Sequence, residues 1–116
     1  MEDSSSNIVS VYPNPLIMAQ SRNSDFLDSQ LNLSNLTNEY IIFKVYNNQY
    51  NLYSATPSTS FIPPKDKAIV KIKRYIKYNL PTNTTNEKFL LVFYIINRVI
   101  SNKEEAKEAF KAKLFI

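Results

Sequence analysis

Alternation is the feature that most constrains this chain. Along residues 40–46, Ile41, Phe43 and Val45 point one way while Ile42, Lys44 and Tyr46 point the other, the period of a strand. Ala68, Val70 and Ile72 alternate with Ile69, Lys71 and Lys73, which predicts a half-buried strand with a basic outer face. Leu31 and Leu33 alternate with Asn32 and Ser34 and run into a turn at residues 35–38. Residues 89–96 are apolar on both faces, so that strand is central or has a covered outer side. Shorter runs lie at 7–12, 16–19 and 49–55. Pro57, Pro63 and Pro64 bracket Ser60, Phe61 and Ile62, so this stretch is an edge or a switch between sheets.

One helix is expected. Ser101 and Glu104 have capping-box spacing and open a helix over residues 102–111, with Ala106 and Phe110 on one face. Glu104 with Lys107, and Glu108 with Lys111, supply surface pairs. Residues 113–116 read as a last strand. About seven short strands separated by turn signals predict an all-β, immunoglobulin-like sandwich with a short helix before its final strand. The 116 residues suit one domain, residues 7–116, behind a loose polar leader at 1–6.

Missing residue types bound the chemistry. There is no His, Cys or Gly. Triads, thiolate metal sites, disulfides and glycine-rich phosphate loops all need at least one of them. Asp25, Asp28, Glu39 and Glu87 sit at unrelated spacings and form no carboxylate pair. The expectation is therefore no enzyme, no cofactor, no metal and no small-molecule substrate. The acidic start is unlike a signal peptide. The longest apolar run is well short of the roughly 20 residues that span a bilayer. A cytoplasmic chain without membrane insertion is expected, and the sequons at Asn32, Asn35 and Asn83 read as by-products of composition.

Charge is uneven. Residues 1–40 carry one Arg against five acids, and residues 41–116 carry thirteen basic residues against five acidic ones. The basic part is where an acidic partner would dock.

Spacing sharpens the fold. Phe43-Lys44-Val45 is followed by Tyr53, Pro57 and then Ile62-Pro63-Pro64. This resembles the signature of the major sperm protein domain, shared with the VAMP-associated proteins. Leu31-x-Leu33-x-Asn35 and Lys88-Phe89-Leu90-Leu91 resemble further segments of that family. The resemblance implies a seven-stranded sandwich without catalysis, whose basic sheet face binds acidic peptides of the FFAT type. It carries Lys88, Leu90 and Lys113 over to that face, beside Lys44. Tyr46, Asn47 and Asn48 occupy the same stretch but depart from the family's Lys-Thr-Thr.

Each candidate has a bland counterpart. Lys44, Lys71, Lys73, Lys88 and Lys113 form a docking face, or they blunt sheet edges and keep the domain soluble. Leu90, Val92 and Tyr94 line a peptide groove, or they are core beneath the helix, the better reading for Val92 and Tyr94. Tyr46 is a better surface candidate than Tyr53. Lys71, Lys73, Arg74 and Lys77, interleaved with Tyr75 and Tyr78, either contact RNA or form a solvated strand end. Three roles follow: a peptide-binding module peripheral to the endoplasmic reticulum; a subunit of a cytoskeletal or other permanent assembly, bound to a neighbouring subunit; and a basic accessory protein of a ribonucleoprotein.

Overall fold

The strand alternation builds two sheets. A computed structural model describes residues 8–13, 19–20, 26–47, 53–75 and 89–114. It contains β1 (Val9–Tyr12), β2 (Ala19–Gln20), β3 (Phe26–Asn35), β4 (Tyr40–Asn47), β5 (Tyr53–Thr56), β6 (Thr59–Ile62), β7 (Lys67–Tyr75), β8 (Phe89–Ile96) and α1 (Lys103–Leu114). The first sheet runs β1-β3-β7-β5, with β2 also on β3; the second runs β6-β4-β8. Every described pairing is antiparallel. The expected sandwich is present, with the two-residue β2 bringing the described strands to eight.

The alternation along β4 places its side chains in two compartments. Ile41, Phe43 and Val45 join Leu31, Leu33, Ile62, Val70 and Ile72 in the core between the sheets. Ile42 faces the other way, into a second cluster with Ile96, Ile100, Ala106, Ala109 and Phe110. α1 thus lies on the outer face of the three-stranded sheet. The helix buries Ala106 and Phe110, as their i,i+4 spacing predicts. It also covers Val92 and Tyr94, which pack against this second cluster. Of the two expectations for β8 the covered outer side holds: among the described strands it pairs with β4, and the helix lies over its apolar outer face.

The prolines act as expected. β5 belongs to the first sheet and β6 to the second, so the chain changes sheets at Pro57, whose bond to Thr56 is cis. β6 is then an edge strand among the described strands, ended by Pro63 and Pro64. Just beyond, Lys65 takes φ 59 in a chain without glycine, and its ammonium donates to the Leu36 carbonyl at 2.8 Å.

Asn35 ties the turns together. It is buried, and its Nδ2 donates to the carbonyls of Glu39 (2.8 Å), Ile62 (3.0 Å) and Pro63 (2.9 Å). Its Oδ1 accepts from Thr37 N and Oγ1, both at 2.8 Å. One side chain therefore joins the end of β3 to the β3–β4 turn and to the end of β6.

Two expectations at the helix are corrected. The cap is one residue later than Ser101 and Glu104: Glu105 N donates to Asn102 Oδ1 at 2.9 Å, and Ser101 N donates to Glu105 Oε1 at 2.8 Å. Lys113 and Leu114, expected to open a last strand, are the end of α1. Ala112 and Lys113 are good helix formers, and no glycine or proline stops the helix before them. The leader at 1–6, the loop at 79–87 and residues 115–116 lie outside the described residues.

Candidate functional site

The outer face of the three-stranded sheet reads in rows. Tyr46 is opposite Leu90, Lys44 opposite Val92, and Ile42 opposite Tyr94. α1 covers the Ile42–Tyr94 end. Phe110 is buried there with its ring edge-on to Tyr94, centroids 5.3 Å apart. At the other end Leu90 is 61% exposed.

Lys44 is half-buried at the rim of this cover. Its Nζ lies 5.0 Å from the centroid of the Tyr46 ring and 5.9 Å from that of Phe110. Among the described residues no carboxylate pairs with it. A lysine held against ring faces keeps its stem packed and its charge available to solvent. Beside it, between β6 and α1, opens a cleft of about 230 Å³ lined by Lys44, Ser58, Thr59, Lys107, Phe110 and Lys111. Lys107 and Lys111 lie 3.7 and 3.9 Å from Glu104 and Glu108. These exposed i,i+3 pairs offset part of the positive charge around the cleft. Lys113, in the last turn of α1, places Nζ 5.8 Å from the Tyr94 ring centroid.

The model of the major sperm protein (MSP) domain family matches residues 8–113. The chain belongs to that family. Two solved structures have the same fold. One is WR4, a C. elegans MSP family member, with TM-score 0.65, 19% identity, and 92% of this chain and 87% of that one covered. The other is SSP-19, an MSP-domain-like protein of Caenorhabditis elegans, with TM-score 0.59, 24% identity, and 72% and 74% covered. None of the curated proteins compared with the chain matches it.

Within this MSP domain, the candidate residues divide between two surfaces. Lys44, Tyr46, Leu90 and Lys113 lie on the α1 side of the three-stranded sheet, with Asn47 ending β4 opposite Phe89. Asn48 and Lys88 lie outside the described residues. Lys71 and Lys73 are exposed on the outer face of the five-stranded sheet, so the five lysines do not make one docking face. The described members of the basic stretch do not share one side of β7 either. Arg74 projects from the side of β7 opposite to Lys71 and Lys73, with its guanidinium carbon 5.7 Å from the Tyr53 ring centroid. Tyr53 is half-buried, edge-on to Phe89 at 4.9 Å, and packs against the main core. Lys77 and Tyr78 lie outside the described residues.

The sequence places Phe110 on one helix face with Ala106, and the structure adds that it forms part of the setting of Lys44. Its spacing from Ala106 gave its burial; its approach to Lys44 required knowing where the helix lands. Among the described residues no cluster of ligating side chains suits a metal ion. No described helix is long and apolar enough to cross a membrane.

Proposed function

We propose that this MSP domain is a non-enzymatic interaction module that captures an acidic, aromatic-containing linear motif of the FFAT type. The outer face of the three-stranded sheet is the docking surface. The observation that carries this reading is Lys44, a half-buried cation between two rings with no carboxylate partner among the described residues. An incoming carboxylate would form a charge-assisted bond there in a partly desolvated setting. Leu90, exposed opposite Tyr46, offers the apolar contact that an aromatic anchor needs. Lys113 extends the positive field over Tyr94. Lys88 and Asn48, which adjoin β8 and β4 in sequence, belong to the same proposed surface.

A fluorescein-labelled peptide with an acidic tract followed by two phenylalanines tests this. Binding at low salt should weaken as salt rises. Lys44→Glu, Lys88→Glu and Lys113→Glu should each lower the affinity. No binding at low salt, or an affinity indifferent to all three substitutions, would sink the reading.

A second reading, a subunit of a permanent assembly, draws support from β8. Only one of its edges is paired among the described strands, and Leu90 and Ile95 are exposed on it. Open apolar edges favour further strand pairing. Sedimentation as a strict monomer across a wide concentration range, with no stable complex from the source cell, would count against it.

A further inference from the structure

The outer face of the five-stranded sheet takes no part in the peptide site. Lys67, Lys71 and Lys73 are exposed along β7, with about 6.6 Å between alternate residues of a strand. Register sets their neighbours. Lys67 is opposite Ser34, Lys71 lies between Gln30 and Thr56, and Lys73 lies between Asp28 and Ser54. Asp28 is the one carboxylate in those rows. Asp66 precedes the strand, and its Oδ1 accepts from the Lys67 backbone N–H at 2.8 Å. Among the described residues neither Lys67 nor Lys71 makes an ion pair.

Between Lys67 and Lys71 runs the row Tyr12, Asn32, Ile69. Tyr12 is 70% exposed and Ile69 49%. Asn32 Nδ2 donates to the Tyr12 carbonyl at 3.4 Å. A hollow of about 410 Å³, bounded in part by Asp28, Gln30, Lys71 and Lys73, continues the face. α1 packs on the other sheet, and among the described residues no element lies over this face.

We propose that this face binds single-stranded nucleic acid. Lys67 and Lys71 contact backbone phosphates, Tyr12 stacks a base, and Gln30 and Ser34 hydrogen-bond to phosphate or sugar oxygens. The uncharged polar residues decide between partners. Against a bilayer, Ser34, Gln30 and Thr56 would lose water without gaining hydrocarbon contact, whereas a sugar-phosphate chain offers them acceptors and donors. An acidic peptide backbone would meet Lys67 and Lys71 but leave Tyr12, 70% exposed, without the stacking surface that a base supplies. The aromatic partner of the basic strand is thus Tyr12, from a different strand, and the site is independent of the peptide reading.

Anisotropy titration of a fluorescein-labelled oligouridylate at about 50 and about 150 mM salt tests the proposal. Affinity should fall several-fold between the two. A Lys67→Glu/Lys71→Glu double variant should bind at least about tenfold more weakly, and Tyr12→Ala about fivefold or more. A Lys44→Glu/Lys113→Glu variant, altered on the opposite surface, should bind like the wild type. The substituted side chains on the proposed face are exposed, so thermal melts should confirm intact folding. Absence of binding at the lower salt would overturn the proposal, as would equal loss in the Lys44/Lys113 variant. Equally tight binding of a polyglutamate peptide would overturn it too. So would co-sedimentation with phosphatidylserine vesicles, lost in the Lys67/Lys71 variant, without oligonucleotide binding.

Discussion

Tyr46 and Leu90 face one another across the β4–β8 ladder, and the pair is lopsided: Tyr46 packs against the cluster beneath α1, while Leu90 is 61% exposed. Leu90 therefore contributes little to the fold and is available for contact. Leu90→Asp should change stability by no more than about 0.5 kcal/mol. It should weaken binding of an acidic aromatic peptide by at least about fivefold, the size expected for a contact worth more than about 1 kcal/mol. Calorimetric titration alongside a thermal melt separates the two effects.

Asn35 is a stronger structural commitment. Asn35→Ala would take the side-chain donor from the Ile62 carbonyl at the end of β6 and free Thr37 from its acceptor, while the Pro63 carbonyl keeps the Asp66 N–H. With a cost of about 1–3 kcal/mol for an orphaned buried polar group, urea unfolding should show a loss of about 3 kcal/mol. Asn35→Asp should fare no better, because a carboxylate would then face three carbonyl oxygens.

The two apolar clusters should fail differently. Phe43 is fully buried between the sheets, with its ring 6.4 Å from that of Phe93. Phe43→Ala should lower global stability by about 3–5 kcal/mol. Phe110 holds a 12-residue helix that would be marginal without packing. In Phe110→Ala, native-state hydrogen exchange should accelerate across α1 while the β3 and β7 amides stay protected. Peptide affinity should fall with it, since Phe110 flanks Lys44.

The position of the cap is testable by contrast. Asn102→Ala removes the acceptor for Glu105 N and should cost about 1 kcal/mol in chemical denaturation. Ser101→Ala should cost only a few tenths, since its backbone N–H can still donate to Glu105.

Much of this was legible in the chain. Period-two alternation alone assigned Ile41 and Phe43 to one side of β4 and Ile42 and Lys44 to the other. Three prolines marked the change of sheet. The same alternation already separates Arg74 from Lys71 and Lys73, a signal obscured when a charge run is read as a patch. Two overlapping motifs compete at the helix start, Ser101 with Glu104 and Asn102 with Glu105, and spacing alone does not choose between them. The role of Asn35 was hidden for a different reason: two of its acceptors lie 27 and 28 positions away, and no local pattern encodes such partners. The neighbourhood of Lys44 depended on where α1 lands, and that of Tyr12 on the β1–β3 register.

Because β4 is a wall between two compartments, it can also serve as a gauge. Phe43 and Val45 are each one residue from a side chain on the outer surface, yet both are sealed in the main core. A partner pressing on Lys44 or Tyr46 would shift the backbone between them. The Val45 methyl resonances can therefore report occupancy from inside the protein, with no label placed on the surface under study.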